Sequence, residues 1–167
     1  MHEDKRQQFL QAYDEFADAI FRYCYFRVFD RELANDLVQD TFLRVWGYLE
    51  KGGEIQHFRV FLYKIATNLI IDYKRKKRAV SLELMQEKGF EPRQDNTLRF
   101  LERIDAKNAV QRLSELPPHY REVITMRYVE ELAVKEIAEV LGETENNISV
   151  RIHRGLEALR KILQGKE

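Results

Sequence analysis

The chain has 167 residues, 44% of them hydrophobic and 34% charged, with 28 basic and 28 acidic side chains and a formal net charge of zero. That is enough apolar material for one ordinary domain or two small ones, and it excludes global disorder. The single cysteine, Cys24, excludes an internal disulfide and a Cys-rich zinc cluster, and the charge balance disfavours a free-standing nucleic-acid binder while suiting local basic patches on a protein that a larger partner holds on DNA.

Three prolines and seven glycines leave little to interrupt helices, and almost every segment has helical rather than alternating periodicity. From about Lys5 to Phe29, Phe9, Tyr13, Phe16, Ile20, Tyr23 and Arg27 recur every three or four residues, with Cys24 expected to pack among aromatics. Asp30 is placed to cap a second helix running to about Leu49. Its inner stripe is Leu33, Leu37, Thr41, Val45 and Leu49, thickened by Ala34, Val38, Phe42 and Trp46. Asp36, Gln39 and Asp40 stand at i, i+3 and i+4 and share another, polar face. Gly52-Gly53 breaks the pattern, and a third helix runs from Phe58 to about Lys77, ending in the basic run Lys74 to Arg78. Its cations suit phosphate, and Asn68 suits a base edge.

Composition changes at Ala79, where Gly89, Pro92 and scattered acids read as a linker. Periodicity resumes near Leu98 and stops at Pro117-Pro118, where Pro118 can open the next helix. Val123, Ile124 and Tyr128 are expected to pack against the two helices after them. From Ala133 to Leu163 the pattern is helix, turn, helix. Val134, Ile137, Ala138 and Leu141 form one stripe, Gly142 can take a left-handed turn, and Thr144 can cap the second helix. There Ile148, Ile152, Leu156, Leu159 and Leu163 point inward. Asn146, Asn147, Ser149, Val150, Arg151, His153 and Arg154 lie near its start, where a helix-turn-helix reaches DNA bases. Asn and Arg are suited to bidentate contact with adenine and guanine.

Three segments carry a family resemblance: Glu32 to Phe42 with its Ala-x-Asp-x-x-Gln-x-x-Phe pattern, Phe61-Leu62-Tyr63-Lys64-Ile65-Ala66-Thr67-Asn68, and Leu116-Pro117-Pro118 through Tyr128 to Lys135-Glu136-Ile137-Ala138. In this order and spacing the chain resembles the bacterial sigma factors of the extracytoplasmic-function type. The resemblance implies an all-α fold of two small helical domains joined by a flexible linker, with residues 1–78 as region 2, 79–105 as linker and 106–167 as region 4. It implies a non-enzymatic subunit that binds core RNA polymerase, directs it to promoters and opens DNA. Asp36, Gln39, Asp40 and Phe42 would contact core polymerase. Gln56, His57, Lys64, Asn68, Lys74, Arg75 and Arg78 would meet the melted nontemplate strand, with a flipped base at the loop of residues 53–57. The second helix of the helix-turn-helix would read the upstream element as duplex. In it Arg154 would serve phosphate, Arg151 phosphate or the helix's own packing, and Asn147, Ser149, Val150 and His153 bases. An anti-sigma factor is an expected partner.

The chain departs from the family pattern in three places. Phe61 stands for Trp, Ala133 stands where Ser or Thr usually caps, and Asn147 and Val150 replace the usual Thr and Ser of the recognition helix. A charged N-terminus without a signal-peptide pattern and the lack of a long apolar run lead us to expect a cytoplasmic protein without membrane insertion. The competing reading is a regulator that binds operator DNA as a dimer. The acidic face and the want of an evident dimerisation helix count against it. An enzyme is disfavoured: there is no Gly-rich phosphate loop, no metal cluster and no cofactor motif, and the histidines are scattered at positions 2, 57, 119 and 153.

Overall fold

A computed structural model describes residues 2–84 and 104–165, and among these every regular element is helical. The chain divides into two compact units, Met1–Arg93 and Gln94–Glu167. The first contains α1 (His2–Val28), α2 (Arg31–Glu50) and α3 (Phe58–Leu84), each packed against the other two. Their apolar stripes meet in one core: Ile20, Tyr23 and Cys24 from α1, Ala34, Leu37, Val45 and Leu49 from α2, and Leu62, Ala66 and Ile70 from α3. Burying each large aliphatic side chain contributes roughly 1.5–3 kcal/mol, far more than helix propensity alone.

Hydrogen bonds join several polar groups inside this core. The Tyr23 hydroxyl lies 2.8 Å from Thr67 Oγ1 and accepts from Arg27 Nη1 at 3.0 Å, tying α1 to α3. Thr41 donates to the Leu37 carbonyl at 2.6 Å, which explains a hydroxyl in the inner stripe of α2. Asp30 caps α2 as its position predicts, accepting from the Leu33 N–H at 3.2 Å. The turn before it holds Phe29 in the left-handed region at φ 52°, its ring buried. That conformation is unusual for a bulky residue, and the burial holds it there.

α3 is longer than its periodicity suggests. It continues past Arg78 to Leu84, six residues into the expected linker, because no glycine or proline occurs between Gly53 and Gly89. α4 likewise begins at Ile104, just before the expected boundary. The rest of the linker, and the resumption of periodicity near Leu98, lie outside the described residues.

The second unit contains α4 (Ile104–Glu115), α5 (Pro118–Ile124), a π-helical turn (Thr125–Val129), α6 (Val134–Leu141) and α7 (Glu145–Leu163). Arg121 of α5 closes the end of α4: Nε donates to the Leu113 carbonyl at 2.9 Å, and Nη2 to those of Ser114 and Leu116 at 3.0 and 2.8 Å. One guanidinium thus satisfies three carbonyls around the end of that helix. α5 and α7 approach closely at Gly155, where a Cβ would stand 3.0 Å from Ile124 Cγ1. Two expectations fail here. The π turn places an extra residue in the helix, which rotates Tyr128 outward to 53% exposure instead of packing it. Leu163, expected inward, is 61% exposed because the core ends a turn earlier.

Candidate nucleic-acid and partner interfaces

On α2 the core-facing stripe leaves Asp36, Gln39 and Asp40 exposed side by side. Leu43, one turn further on the same face, is 66% exposed. Its signal was available in the sequence as a leucine at i+7 from Asp36, off the inner stripe. The face is acidic and polar with one apolar centre, and Asp36 to Leu43 spans about 10 Å along the helix. Phe42 does not belong to it. Its ring is buried 4.9 Å from that of Tyr13 and 6.0 Å from that of Phe9, so it supports α2 from behind and cannot touch a partner.

On α3, Lys64, Asn68, Ile71, Arg75 and Arg78 are exposed at spacings of four, three, four and three residues, which places them on one face. The row runs about 21 Å along the helix. Arg75 donates to Asp72 at 3.0 Å, an exposed pair that phosphate can displace. Lys74 is half-buried and already engaged, so it sits on the flank of the row. Ile71, 49% exposed between Asn68 and Arg75, is an apolar member of a face whose sequence signal is its cations.

In the loop before α3, Gln56 and His57 are exposed, and the His57 carbonyl accepts the Phe61 N–H at 3.1 Å, opening the helix. Beside this loop a cleft lies between α2 and α3. It measures about 430 Å³ and is lined by Arg44, Gly47, Tyr48, Lys51, Phe61, Ile65 and Asn68. The Tyr48 and Phe61 rings stand 5.0 Å apart at 41°. The loop clamps Tyr48 from the far side: Gly53 N–H donates to its carbonyl at 2.9 Å, and its hydroxyl reaches the Glu54 carbonyl at 3.4 Å. Two packed aromatic rings, the amide of Asn68 and the cations of Arg44 and Lys51 thus line one cleft. Arg44, Tyr48 and Lys51 recur at i, i+4 and i+7 just before Gly52-Gly53, a pattern that the apolar stripe of α2 overshadows in the sequence.

In the second unit the turn is built as its residues predict. Gly142 is left-handed at φ 67°, and Thr144 Oγ1 accepts the Asn147 N–H at 3.1 Å. Ala133 supplies no side-chain cap to α6, but Glu136 Oε1 accepts the Ala133 N–H at 2.9 Å, the other half of a capping box. Asn146, Asn147, Ser149, Val150, His153 and Arg154 form one exposed patch at the start of α7, Val150 at 42% exposure and His153 3.4 Å from Glu157. Arg151 is not part of it. Its side chain, 21% exposed, turns inward to Glu143 and to Glu122, the latter at 3.6 Å, because two carboxylates hold it there.

Among the described residues no group of three or more His, Cys, Asp or Glu could hold a metal, and no helix is long and apolar enough to cross a membrane. What the two units present is a helical domain with an acidic face, a basic row and an aromatic cleft, and a second domain with a helix-turn-helix: the parts of a transcription initiation factor.

Known proteins agree. The sigma-70 region 2 family matches residues 12–80, and the sigma-70 region 4 family matches residues 107–159. The sigma factor SigW of Bacillus subtilis, of the extracytoplasmic-function type, is 32% identical over 166 residues, covering 93% of this chain and 89% of SigW. The SigL factor of Mycobacterium tuberculosis is 31% identical over 153 residues, covering 91% and 86%. Among solved structures, the fold is similar to RpoE in complex with the anti-sigma factor NepR from Bartonella quintana, with TM-score 0.74 and 20% identity over 97% of this chain and 98% of RpoE. It is also similar to CnrH in complex with the cytosolic domain of CnrY, with TM-score 0.71 and 22% identity over 97% and 91%. The chain belongs to the extracytoplasmic-function sigma factors of RNA polymerase. It is a promoter-directing subunit and not an enzyme, as its sequence implies.

Proposed function

We propose a division of labour among the surfaces described above. The α2 face of Asp36, Gln39, Asp40 and Leu43 docks on a basic surface of core polymerase. Its acids supply complementarity, and Leu43 supplies the apolar centre that such interfaces need. The α3 row carries the nontemplate strand: Lys64, Arg75 and Arg78 meet phosphates, which give affinity without sequence information, and Ile71 lies against a sugar or base between them. The cleft takes one base extruded from the opened duplex. Tyr48 and Phe61, packed on one another, supply the aromatic wall on which it stacks, Asn68 hydrogen-bonds its edge, and Arg44 and Lys51 hold the adjoining phosphates. Gln56 and His57 line the approach. The patch on α7 reads the upstream element in the major groove, with Asn147 suited to adenine, Val150 to a thymine methyl and Arg154 to phosphate.

The juxtaposition of Tyr48, Phe61 and Asn68 around one cleft carries this reading. The test is permanganate probing of promoter complexes made with Tyr48→Ala and Asn68→Ala holoenzymes. Both variants should lose reactivity in the melted region while duplex capture by α7 persists. Equal loss of both activities would defeat the assignment of separate roles.

The solved relatives RpoE and CnrH are held by an anti-sigma factor and by the cytosolic domain of CnrY. We propose that this chain too is held by an anti-sigma partner and acts in the cytoplasm, where promoter DNA is. A pull-down from uninduced cells should then recover a protein besides core polymerase.

A further inference from the structure

The guanidinium of Arg151 sits where three elements of the second unit converge. It bonds Glu143, in the turn between α6 and α7, and approaches Glu122 of α5 at 3.6 Å. The three side chains are 21%, 32% and 12% exposed, so solvent screens them only partly. The turn they span is closed by backbone hydrogen bonds, Glu143 N–H to the Ala138 carbonyl at 3.0 Å and Ile148 N–H to the Thr144 carbonyl at 3.1 Å, around the left-handed Gly142. The core around Ile137 and Ile148 lies on one side of the first turns of α7, and this ionic knot ties them to the turn and to α5.

We propose that Arg151 is a positioning residue for recognition of the upstream element: it fixes the angle at which α7 presents Asn147, Val150 and His153, and it does not grip DNA. This rests on the proposed reading of α7. Charge supports it. The guanidinium is already engaged by two carboxylates beside a surface that meets a polyanion. A phosphate-binding arginine gains nothing from such company. A geometric clamp does, because the planar fork of arginine serves carboxylates from two elements at once, which a lysine ammonium cannot do with the same geometry.

The consequence is an inversion of sign. Glu143→Gln removes a negative charge near DNA, so simple electrostatics predicts tighter binding to every duplex. A lost clamp predicts looser choice among duplexes. The experiment is enrichment of promoter fragments with a randomised upstream element by holoenzyme assembled from the full chain and core polymerase, at low and high salt. Glu143→Gln and Arg151→Lys should each lower the ratio of selected to random fragments by about tenfold, the scale of one well-read base pair. Arg151→Lys should leave the salt dependence unchanged, whereas Arg154→Ala should lower its slope by about one and keep the ratio. Glu143→Gln binding all fragments more tightly at an unchanged ratio would overturn the proposal. So would Arg151→Gln lowering the salt slope by about one with the ratio intact. If wild-type holoenzyme enriched no upstream sequence, the reading of α7 itself would fall, a result distinct from either.

Discussion

Replacing Gly53 by alanine should separate strand opening from stability. Gly53 lies outside the left-handed region, so alanine meets no backbone penalty there. Space is the obstacle: its Cβ would stand 2.3 Å from Tyr48 Cε1 and 2.6 Å from Cζ. No such contact survives, and the ring must swing away. Tyr48 is 42% exposed, so the swing sacrifices little burial. Its long hydrogen bond to Glu54 at 3.4 Å is a minor loss. Reduced freedom of the unfolded chain offsets part of this by about 0.4–1 kcal/mol. The net change in stability should stay below about 1 kcal/mol, which for a domain of this size is a shift of at most about 4–8 °C in Tm. The cleft, however, loses one of its two rings. Base stacking on an aromatic side chain is worth about 1–3 kcal/mol, so open-complex formation should fall about 5- to 150-fold. Thermal melting of the variant, paired with permanganate probing of holoenzyme on a promoter, reads both quantities. A Gly53→Ala protein that melts and opens DNA like the wild type would refute the role of the Tyr48 ring. A collapse in Tm would place the defect in folding and refute the reasoning about space.

Four further variants have definite expected outcomes. Asp36→Lys with Asp40→Lys should abolish co-purification with core polymerase while shifting stability by no more than about 0.5 kcal/mol, since both side chains are exposed. Denaturant melts provide the control. Ala133→Ser should stabilise the second unit by about 0.5–1 kcal/mol, because position 133 already has extended cap geometry (φ −68°, ψ 153°) and lacks only an acceptor; an unchanged melt would contradict this. Thr144→Ala should cost about 1 kcal/mol through the Asn147 N–H that it leaves unbonded, again read by melting. Tyr23→Phe should cost about 1–3 kcal/mol, because Thr67 and Arg27 lose a buried partner, and chemical denaturation would measure it.

Features governed by neighbours along the chain are legible in the sequence itself. The apolar stripes of α1, α2 and α3, the cap at Asp30, the left-handed Gly142, the cap at Thr144 and the proline start of α5 each depend on residues within about one turn, and they stand where the sequence predicts them except for Tyr13 of the α1 stripe, which is 46% exposed. Periodicity also separates the exposed Asp36, Gln39 and Asp40 from the buried stripe, and it places Phe42 in that stripe, where Phe9 and Tyr13 meet it; the interface role of Phe42 comes from the family resemblance alone. The cleft is a tertiary product. Tyr48 and Phe61 are thirteen positions apart on different helices, and only the packing of α2 on α3 brings their rings to 5.0 Å beside Asn68. The same holds for Arg151. Its sequence neighbours mark it as one more cation of a recognition helix, while its partners Glu122 and Glu143 come from other elements and turn it inward. Periodicity records which face of a helix avoids water. It holds no information on which residue of a distant helix will meet that face, because that depends on the crossing of helices the chain has yet to assemble.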